Sequence, residues 1–259
     1  MKNRLLTLLV FALILSSFGV GMGLAQELTA DEIIAQVDLT MGSDSKIMTQ
    51  EMTLVSASGA SRTREIQLQN KRTADQNFML VRFLSPADVR GTGLLMTDDD
   101  TWLYLPALGR SRRIAGHAKK GDFMGSDLSF DDMEQLGMTG FGSKFVPTLL
   151  RSEVFQGIDT YVLELLPLDS DSDYSKLVMW VDQVRLLPRK IEYVDRDGKL
   201  LKVLHNEGIQ EVDGRWMASV MEMENVQQGT RTILKVSNVE FDVDISEANF
   251  TVRSLERGL

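Results

Sequence analysis

The chain has 259 residues, a formal net charge of −9 and no cysteine. This acidic balance argues against a nucleic-acid partner, because phosphate binding needs a broad basic field. The lack of cysteine excludes a disulfide framework, and the two histidines, His117 and His205, stand too far apart in sequence to suggest a zinc site.

The N-terminal residues have the pattern of a secretory signal peptide. Lys2 and Arg4 precede the apolar run LLTLLVFALIL, and small residues up to Ala25 suit a signal-peptidase site. The unbroken run is about half of the roughly 20 residues that a spanning helix needs, which disfavours a retained membrane anchor. We therefore expect residues 1–25 to be a cleaved signal peptide and residues 26–259 to form one domain. The expected location is the periplasm, or the exterior if there is no outer membrane.

Directly after this segment the sequence predicts one amphipathic helix. Thr29 and Glu32 form a capping box, which satisfies backbone N–H groups at a helix start. Apolar residues recur at helical spacing over 33–41, and Gly42 provides the stop.

Nearly everything after Gly42 is typical of β-strands. About twelve short apolar runs are separated by turn sequences such as Asp197-Gly198. No crossover helix lies between consecutive runs, which predicts an antiparallel meander. A sheet of this size must curl into a barrel or half-barrel, or fold as a sandwich. Several strands contain methionine, which indicates either ordinary core filling or a lining that adapts to flexible apolar ligands.

One stretch within this β-rich sequence, YLPALGRSRRIAGHAKKGDFMGSDLSFDDM, segregates its charges. Five cations fall within residues 110–120, and four anions follow within residues 127–134. Ser129 and Asp132 form a second capping box, and Gly137 is expected to end a helix of about two turns.

Ala107–Leu136 is therefore predicted to be a flap over the mouth of a pocket. Phe130, Met133 and Leu136 would share one helix face and pack inward. The alternative is a plain solvated loop whose charges pair, although a connection of about 25 residues is long for that purpose.

Recognisable catalytic chemistry is absent from the sequence. There is no G-x-S-x-G nucleophile elbow, no Walker loop, and no G-x-G-x-x-G between a strand and a helix. The run that begins at Asp169 starts like a calcium loop, but Tyr174 stands where glycine is needed and Trp180 where the bidentate glutamate should be. We predict no enzyme, no metal and no cofactor.

Three motifs resemble a known family. The runs YLPALGRSRRI…GDFMGSDLSFDDM, LVMWVDQVRLLPRKIEYVDRDGKLLK and ANFTV are similar to the LolA-like outer-membrane lipoprotein-sorting family, specifically its treponemal-type subgroup. The resemblance covers nearly all of residues 26–259 and implies a mainly β fold. The implied fold is a strongly curved antiparallel sheet that forms an unclosed half β-barrel, with a few helices covering the open mouth.

The same resemblance implies a function. A periplasmic carrier would bind lipid or the acyl chains of lipoproteins in an apolar cavity and move them toward the outer membrane. The implied partners are the acylated cargo, an inner-membrane transporter of the RND/MMPL or ABC type, and an outer-membrane acceptor. A monomer is expected.

Two residue sets are candidates for that function. The rim that would meet lipid headgroups or a partner comprises Arg110, Arg112, Arg113, Lys119, Lys120, Asp127 and Asp132. The flap and cavity candidates are Met124, Phe130, Met133, Leu136, Met79, Val81, Leu95, Leu103, Val162, Met179 and Ile191. The sequence does not assign each strand face.

Two rival functions remain open from the sequence. One is an accessory subunit that docks onto a membrane exporter without carrying lipid. The other is a secreted hydrolase that uses two carboxylates, for example Asp127 with Asp132.

Overall fold

The computed structural model describes residues 28–258, so the predicted signal peptide at 1–25 lies outside the described residues. Its three α-helices are α1 (Ala30–Met41), α2 (Phe130–Glu134) and α3 (Val252–Arg257). The strands are β1 (Ser45–Val55), β2 (Ser61–Arg72), β3 (Asn77–Ser85), β4 (Gly93–Thr97), β5 (Thr101–Leu105), β6 (Arg110–Ile114), β7 (Phe145–Phe155), β8 (Ile158–Pro167), β9 (Tyr174–Asp182), β10 (Pro188–Asp195), β11 (Leu200–Val212), β12 (Arg215–Asn225) and β13 (Thr230–Phe241).

All of these strands belong to one antiparallel sheet. Its order is β6-β5-β4-β3-β2-β1-β13-β12-β11-β10-β9-β8-β7, so β6 and β7 are its two edges. The edges do not pair with each other, and the sheet stays open. The predicted mainly β, unclosed antiparallel fold is confirmed.

The first helix covers the concave face of the sheet. Ile33, Ile34 and Val37 are almost fully buried in the main apolar core. The predicted capping box at Thr29 is present, and Gly42 is the C-cap, so both predicted ends of α1 are confirmed. Removing each such side chain from water contributes about 1.5–3 kcal/mol, which is why an amphipathic helix settles on this face.

A smaller apolar cluster lies on the opposite, convex face. The chain after β13 returns across β3 and β4, where Leu255 packs with Leu80 and Leu95. The buried guanidinium of Arg82 donates hydrogen bonds to the carbonyl oxygens of Ser254 at 2.7 Å and Leu255 at 3.1 Å. The C-terminal tail thus fixes the back of the sheet.

The two clusters settle which predicted cavity residues share a face. Successive strand residues point to opposite faces, and Met79, Val81, Met179 and Ile191 belong to the concave core, with half-buried Leu103 packed against it.

Two predicted cavity residues face the other way. Leu95 belongs to the convex cluster. Val162 is fully buried beside its cross-strand neighbour Trp180, on the face opposite to Leu163. Their assignment to the cavity is wrong, because hydrophobicity alone does not fix the face of a strand that is buried on both sides.

The charge-segregated stretch, predicted as a flap over Ala107–Leu136, begins instead as a strand of the sheet. Arg110, Arg112 and Arg113 lie in edge strand β6, which pairs with β5. The chain then runs through residues 115–144, which we call the crossing segment because it joins edge strand β6 to edge strand β7.

Gly137 does not end the helix of the crossing segment. The helix continues past α2 as a π-helical turn, Gln135–Thr139, and its cap is Gly140. A Cβ on Gly137 would lie 2.5 Å from the Sδ atom of Met79, so a larger residue there would require the buried Met79 side chain to shift. Among residues 28–258, no helix is both long and apolar enough to cross a membrane.

Leu255→Ala tests the convex cluster. The substitution removes a fully buried side chain and should lower the free energy of unfolding by about 2–5 kcal/mol. Leu39→Ala, at a position that is 67% exposed, is the matched control and should change it little. Equal urea midpoints for the two variants would show that the tail does not pack on the sheet.

Candidate functional site

Polar side chains of the sheet and of α1 hold the crossing segment over the concave face. The first link is at Asp127, whose backbone N–H donates to Thr232 Oγ1 at 2.8 Å. The Thr232 hydroxyl donates to the Asp127 carboxylate at 2.7 Å, and the Thr230 hydroxyl donates to its other oxygen. Asp127 is therefore buried against β13 and is not part of an exposed rim.

The second link is a buried ion pair. Asp132, only 1% exposed, accepts a hydrogen bond from Lys202 Nζ of β11 at 3.0 Å and from the Tyr174 hydroxyl of β9 at 2.8 Å. The same carboxylate caps its own helix by accepting the Ser129 N–H at 2.9 Å. Burial, followed by the nearby Asp132 charge, raises the pKa of Tyr174 well above its ordinary value, so this phenol stays a donor. Asp132 was predicted for the rim, and its position in the core contradicts that.

A third set of contacts lies within the crossing segment and neutralises two of its lysines. Glu134 accepts hydrogen bonds from Lys119 at 2.6 Å and from Lys144 at 2.8 Å. Burial alone would raise the pKa of Glu134, but the two lysines outweigh it and lower that pKa. Lys120 is paired with Asp173 at 3.2 Å. Both predicted rim lysines are thus engaged within the fold.

Three further contacts complete the attachment. Arg64 of β2 donates to the Met124 carbonyl at 2.8 Å, and Asn70 of β2 donates to the Gly137 carbonyl at 2.8 Å. Asp38 of α1 accepts the backbone N–H groups of Phe141 and Gly142, both at 2.8 Å. Each contact gives a backbone polar group of the crossing segment a hydrogen-bond partner from the sheet or from α1.

The apolar residues of the crossing segment pack as predicted. Phe130 and Met133 are buried in the concave core, and Met124 and Leu136 are half-buried against it. Phe123, absent from the predicted set, is fully buried between the rings of Phe83 and Phe130. Its place between two charged blocks was the only signal in the sequence.

The arginines of the predicted rim lie apart from this cluster. Arg110 and Arg112 are exposed on edge strand β6, and Arg113 forms an ion pair with Asp100. Their role in recognition stays a prediction.

An apolar cavity of about 130 Å³ opens between the end of α1, Leu136 of the crossing segment, and the concave face of β1 and β10–β13. Its wall includes Met41, Met48, Met217, Met221, Leu234 and Val236.

Of the predicted cavity residues, only Leu136 and Ile191 line this space. Met79, Val81, Leu103 and Met179 instead form the filled core. The sequence did not separate filled core from open cavity, because both are built from the same apolar strand residues.

No group of His, Asp and Glu side chains within residues 28–258 could hold a metal ion. Asp127 and Asp132 use their carboxylate oxygens on threonines and on Lys202 and Tyr174, respectively. These contacts leave neither carboxylate facing solvent as a hydrolase would need.

Comparisons with known proteins give a consistent family. A family model described as an uncharacterized protein matches residues 75–257. A crystal structure from Vibrio parahaemolyticus, of a domain assigned to outer membrane lipoprotein-sorting proteins, is 35% identical; the match covers 88% of this chain and 98% of that chain with a TM-score of 0.80. A DUF1329 family protein from Desulfovibrio piger is 30% identical, covering 87% and 97% with a TM-score of 0.81.

A third crystal structure, of a LolA superfamily protein from Nitrosomonas europaea, is 25% identical and has a TM-score of 0.72. The match covers 86% of this chain and 98% of that chain. No curated protein sequence matches the chain significantly.

The buried ion pair predicts a non-additive pair of substitutions. Lys202→Met leaves the Asp132 carboxylate buried without its cation, and should lower the free energy of unfolding by about 3–5 kcal/mol. Adding Asp132→Asn removes the stranded charge, so the double variant should lose less than the sum of the two single losses. Lys176→Met, which breaks the more exposed pair with Glu164, should cost about 1 kcal/mol or less. Additive urea-denaturation results would contradict direct coupling between Asp132 and Lys202.

Proposed function

Because the chain belongs to the LolA-like family of outer-membrane lipoprotein-sorting proteins, we propose that it is a periplasmic carrier of lipid or of lipoprotein acyl chains. The acyl chain would enter the apolar cavity between α1, Leu136 and the concave sheet, and would leave at the outer membrane. The observation that carries this proposal is that cavity, at the place where the covering helices meet the sheet.

The size of the cavity bears on how a chain is held. An apolar cavity of about 150 Å³ in another protein binds benzene, so about 130 Å³ suits a fragment of roughly six carbons. At about 0.8 kcal/mol per methylene, that fragment contributes about 5 kcal/mol, weaker than micromolar affinity. Tight carriage of a longer chain therefore requires the cavity to enlarge.

The walls are suited to enlargement. Four methionines line the cavity, and their unbranched thioether side chains repack easily around ligands of varied shape (Met41, Met48, Met217 and Met221). Leu136 comes from the π-helical turn, a helix form that is rare and is frequently found at functional sites. In this proposal α1 and the π-helical turn move outward as the acyl chain enters.

Transfer of this kind needs no covalent chemistry, so the proposal includes no enzymatic step. The cargo would pass from an inner-membrane transporter of the RND/MMPL or ABC type to an outer-membrane acceptor. Exposed Arg110 and Arg112 on β6 offer a basic surface for headgroups or for an acidic partner. The competing accessory role predicts docking without any bound lipid.

A pair of phenylalanine substitutions on one strand tests the cavity. Met221 of β12 points into the cavity and pairs with Leu234, which also lines it. Val220 points to the other face and pairs with exposed Lys235. Met221→Phe should fill the space and reduce binding of an apolar fluorescent probe by about tenfold, whereas Val220→Phe should not, since the rings lie on opposite faces.

The control measurement is displacement of the probe from the unsubstituted protein by a long-chain lipid. Mass spectrometry of lipids that co-purify with the protein gives an independent readout. Failure of the folded protein to bind any probe or lipid would overturn the carrier function and favour the accessory role.

A further inference from the structure

A second pocket of about 50 Å³ adjoins the apolar cavity, and we call it the polar pocket because polar and charged residues make up most of its lining. The two spaces share three wall residues, Met41, Lys46 and Leu136. An apolar space that continues into a polar one matches the shape of an amphiphile, whose chain and headgroup need different surroundings.

The polar pocket is lined by buried atoms that have no partner. Within residues 28–258, the atoms Ser43 Oγ, Asn70 Oδ1, Gln135 Nε2 and Thr139 Oγ1 are buried without a hydrogen bond, and all four residues line this pocket. Asn70 and Gln135 are 6% and 7% exposed. Burying polar atoms unpaired is unfavourable, so a cluster of them around one space indicates a site for a polar group.

The character of these atoms favours an anion. The hydroxyls of Ser43 and Thr139 and the amide nitrogen of Gln135 can all donate hydrogen bonds. Asn70 already donates its amide to the Gly137 carbonyl, which leaves its oxygen as the single pure acceptor of the four.

Lys46 brings a positive charge to the junction of the two spaces. Among the described residues it has no ion pair within 4.0 Å and no side-chain hydrogen bond. Burial, with a smaller contribution from the Arg72 charge, lowers the pKa of Lys46 to about 8. Lys46 is half-buried, so its ammonium group is partly desolvated and has no counter-charge beside it.

The other charged groups around Lys46 are already engaged. Asp38 of α1 accepts two backbone N–H groups, Lys71 of β2 contacts Glu247 and a carbonyl oxygen, and Arg72 of β2 donates to Asn77. On the cavity side, Arg215 of β12 is paired with Asp242 at 2.7 Å. Among the residues that the structure describes, Lys46 is the cation of this group that makes neither an ion pair nor a side-chain hydrogen bond.

We propose that Lys46, with Ser43 and Gln135, binds the anionic headgroup of an amphiphile whose acyl chain lies in the apolar cavity. This rests on the proposed carrier function and deepens it, because it names the cargo class: an acyl chain that ends in a compact carboxylate or phosphate. The small volume excludes a bulky sugar headgroup from the pocket.

Displacement of a neutral apolar probe tests the headgroup site. The competitors are a fatty acid, an alkyl phosphate and a fatty alcohol of equal chain length. The two anions should displace the probe at about tenfold lower concentration than the alcohol, the size expected for one hydrogen bond to a charged group. Lys46→Met should remove this preference without weakening displacement of the probe by the alcohol, and Lys46→Arg should retain the preference. Lys235→Met, on the exposed convex face, should behave as the unsubstituted protein does.

The preference should also depend on pH in a defined direction. Below pH 8 Lys46 carries its charge, and above it the ammonium loses its proton, so the preference for anions should decline between pH 7 and pH 9.5. In Lys46→Arg it should persist across that range, because arginine stays protonated. A decline that is the same in both variants would assign the effect to another group and overturn the role of Lys46.

The outcomes distinguish failure of the carrier function from failure of the headgroup site. If no probe binds, the carrier function itself fails. If the probe binds and all three competitors act equally, the carrier function stands and the headgroup site is overturned. Displacement by inorganic phosphate or acetate as effective as that by the amphiphiles would also overturn it, since the pocket would then hold a free anion.

Discussion

The structure depends on covering the concave face of a sheet that does not close. A 13-stranded open sheet has one apolar face that must be buried, and here the crossing segment between its two edges does so together with α1. The buried pair of Asp132 and Lys202 holds that segment in place. Separating the two residues would leave each charge buried without a partner, which costs free energy. The pair therefore favours this position of the crossing segment over partly detached ones. The crossing segment is held against the sheet at Asp132, whereas near Leu136 a space remains between the segment, α1 and the sheet, and this space is the cavity.

The sequence predicted the features that depend on interactions between residues close together in the chain. Both ends of α1 and the capping box at Ser129 follow from side-chain hydrogen bonds within one turn, and the antiparallel order follows from the lack of crossover helices. Tertiary packing decided the rest. Gly137 was predicted as a helix stop, yet the helix continues past it, and the Met79 side chain packs against it. Leu95 and Val162 face away from the cavity, which their hydrophobicity alone did not reveal. Asp127 and Asp132 are buried against residues that lie far from them in the sequence, so their partners were not predictable from local patterns.

The candidate site follows the same division. Methionines in the strands suggested an adaptable apolar lining, and the wall of the cavity contains three of them, Met48, Met217 and Met221. Lys46 carried no sequence signal, since one lysine in a strand is ordinary. Its importance comes from its neighbours: unpaired donors on the crossing segment and on the turn after α1, next to an apolar space. In the proposed carrier, outward movement of α1 and the π-helical turn would let the sheet accept a chain of variable length, and Lys46 would hold the headgroup at one end.

The most direct measurement is methyl-¹³C-methionine NMR of the protein with a long-chain fatty acid. Acyl methylenes should show intermolecular nuclear Overhauser effects to the methyl groups of Met48, Met217 and Met221, which line the cavity. Met96 is fully buried in β4 and does not line this space, so it serves as the internal control. Contacts as strong to Met96 as to the cavity methionines, or no contacts with the folded protein, would contradict the account.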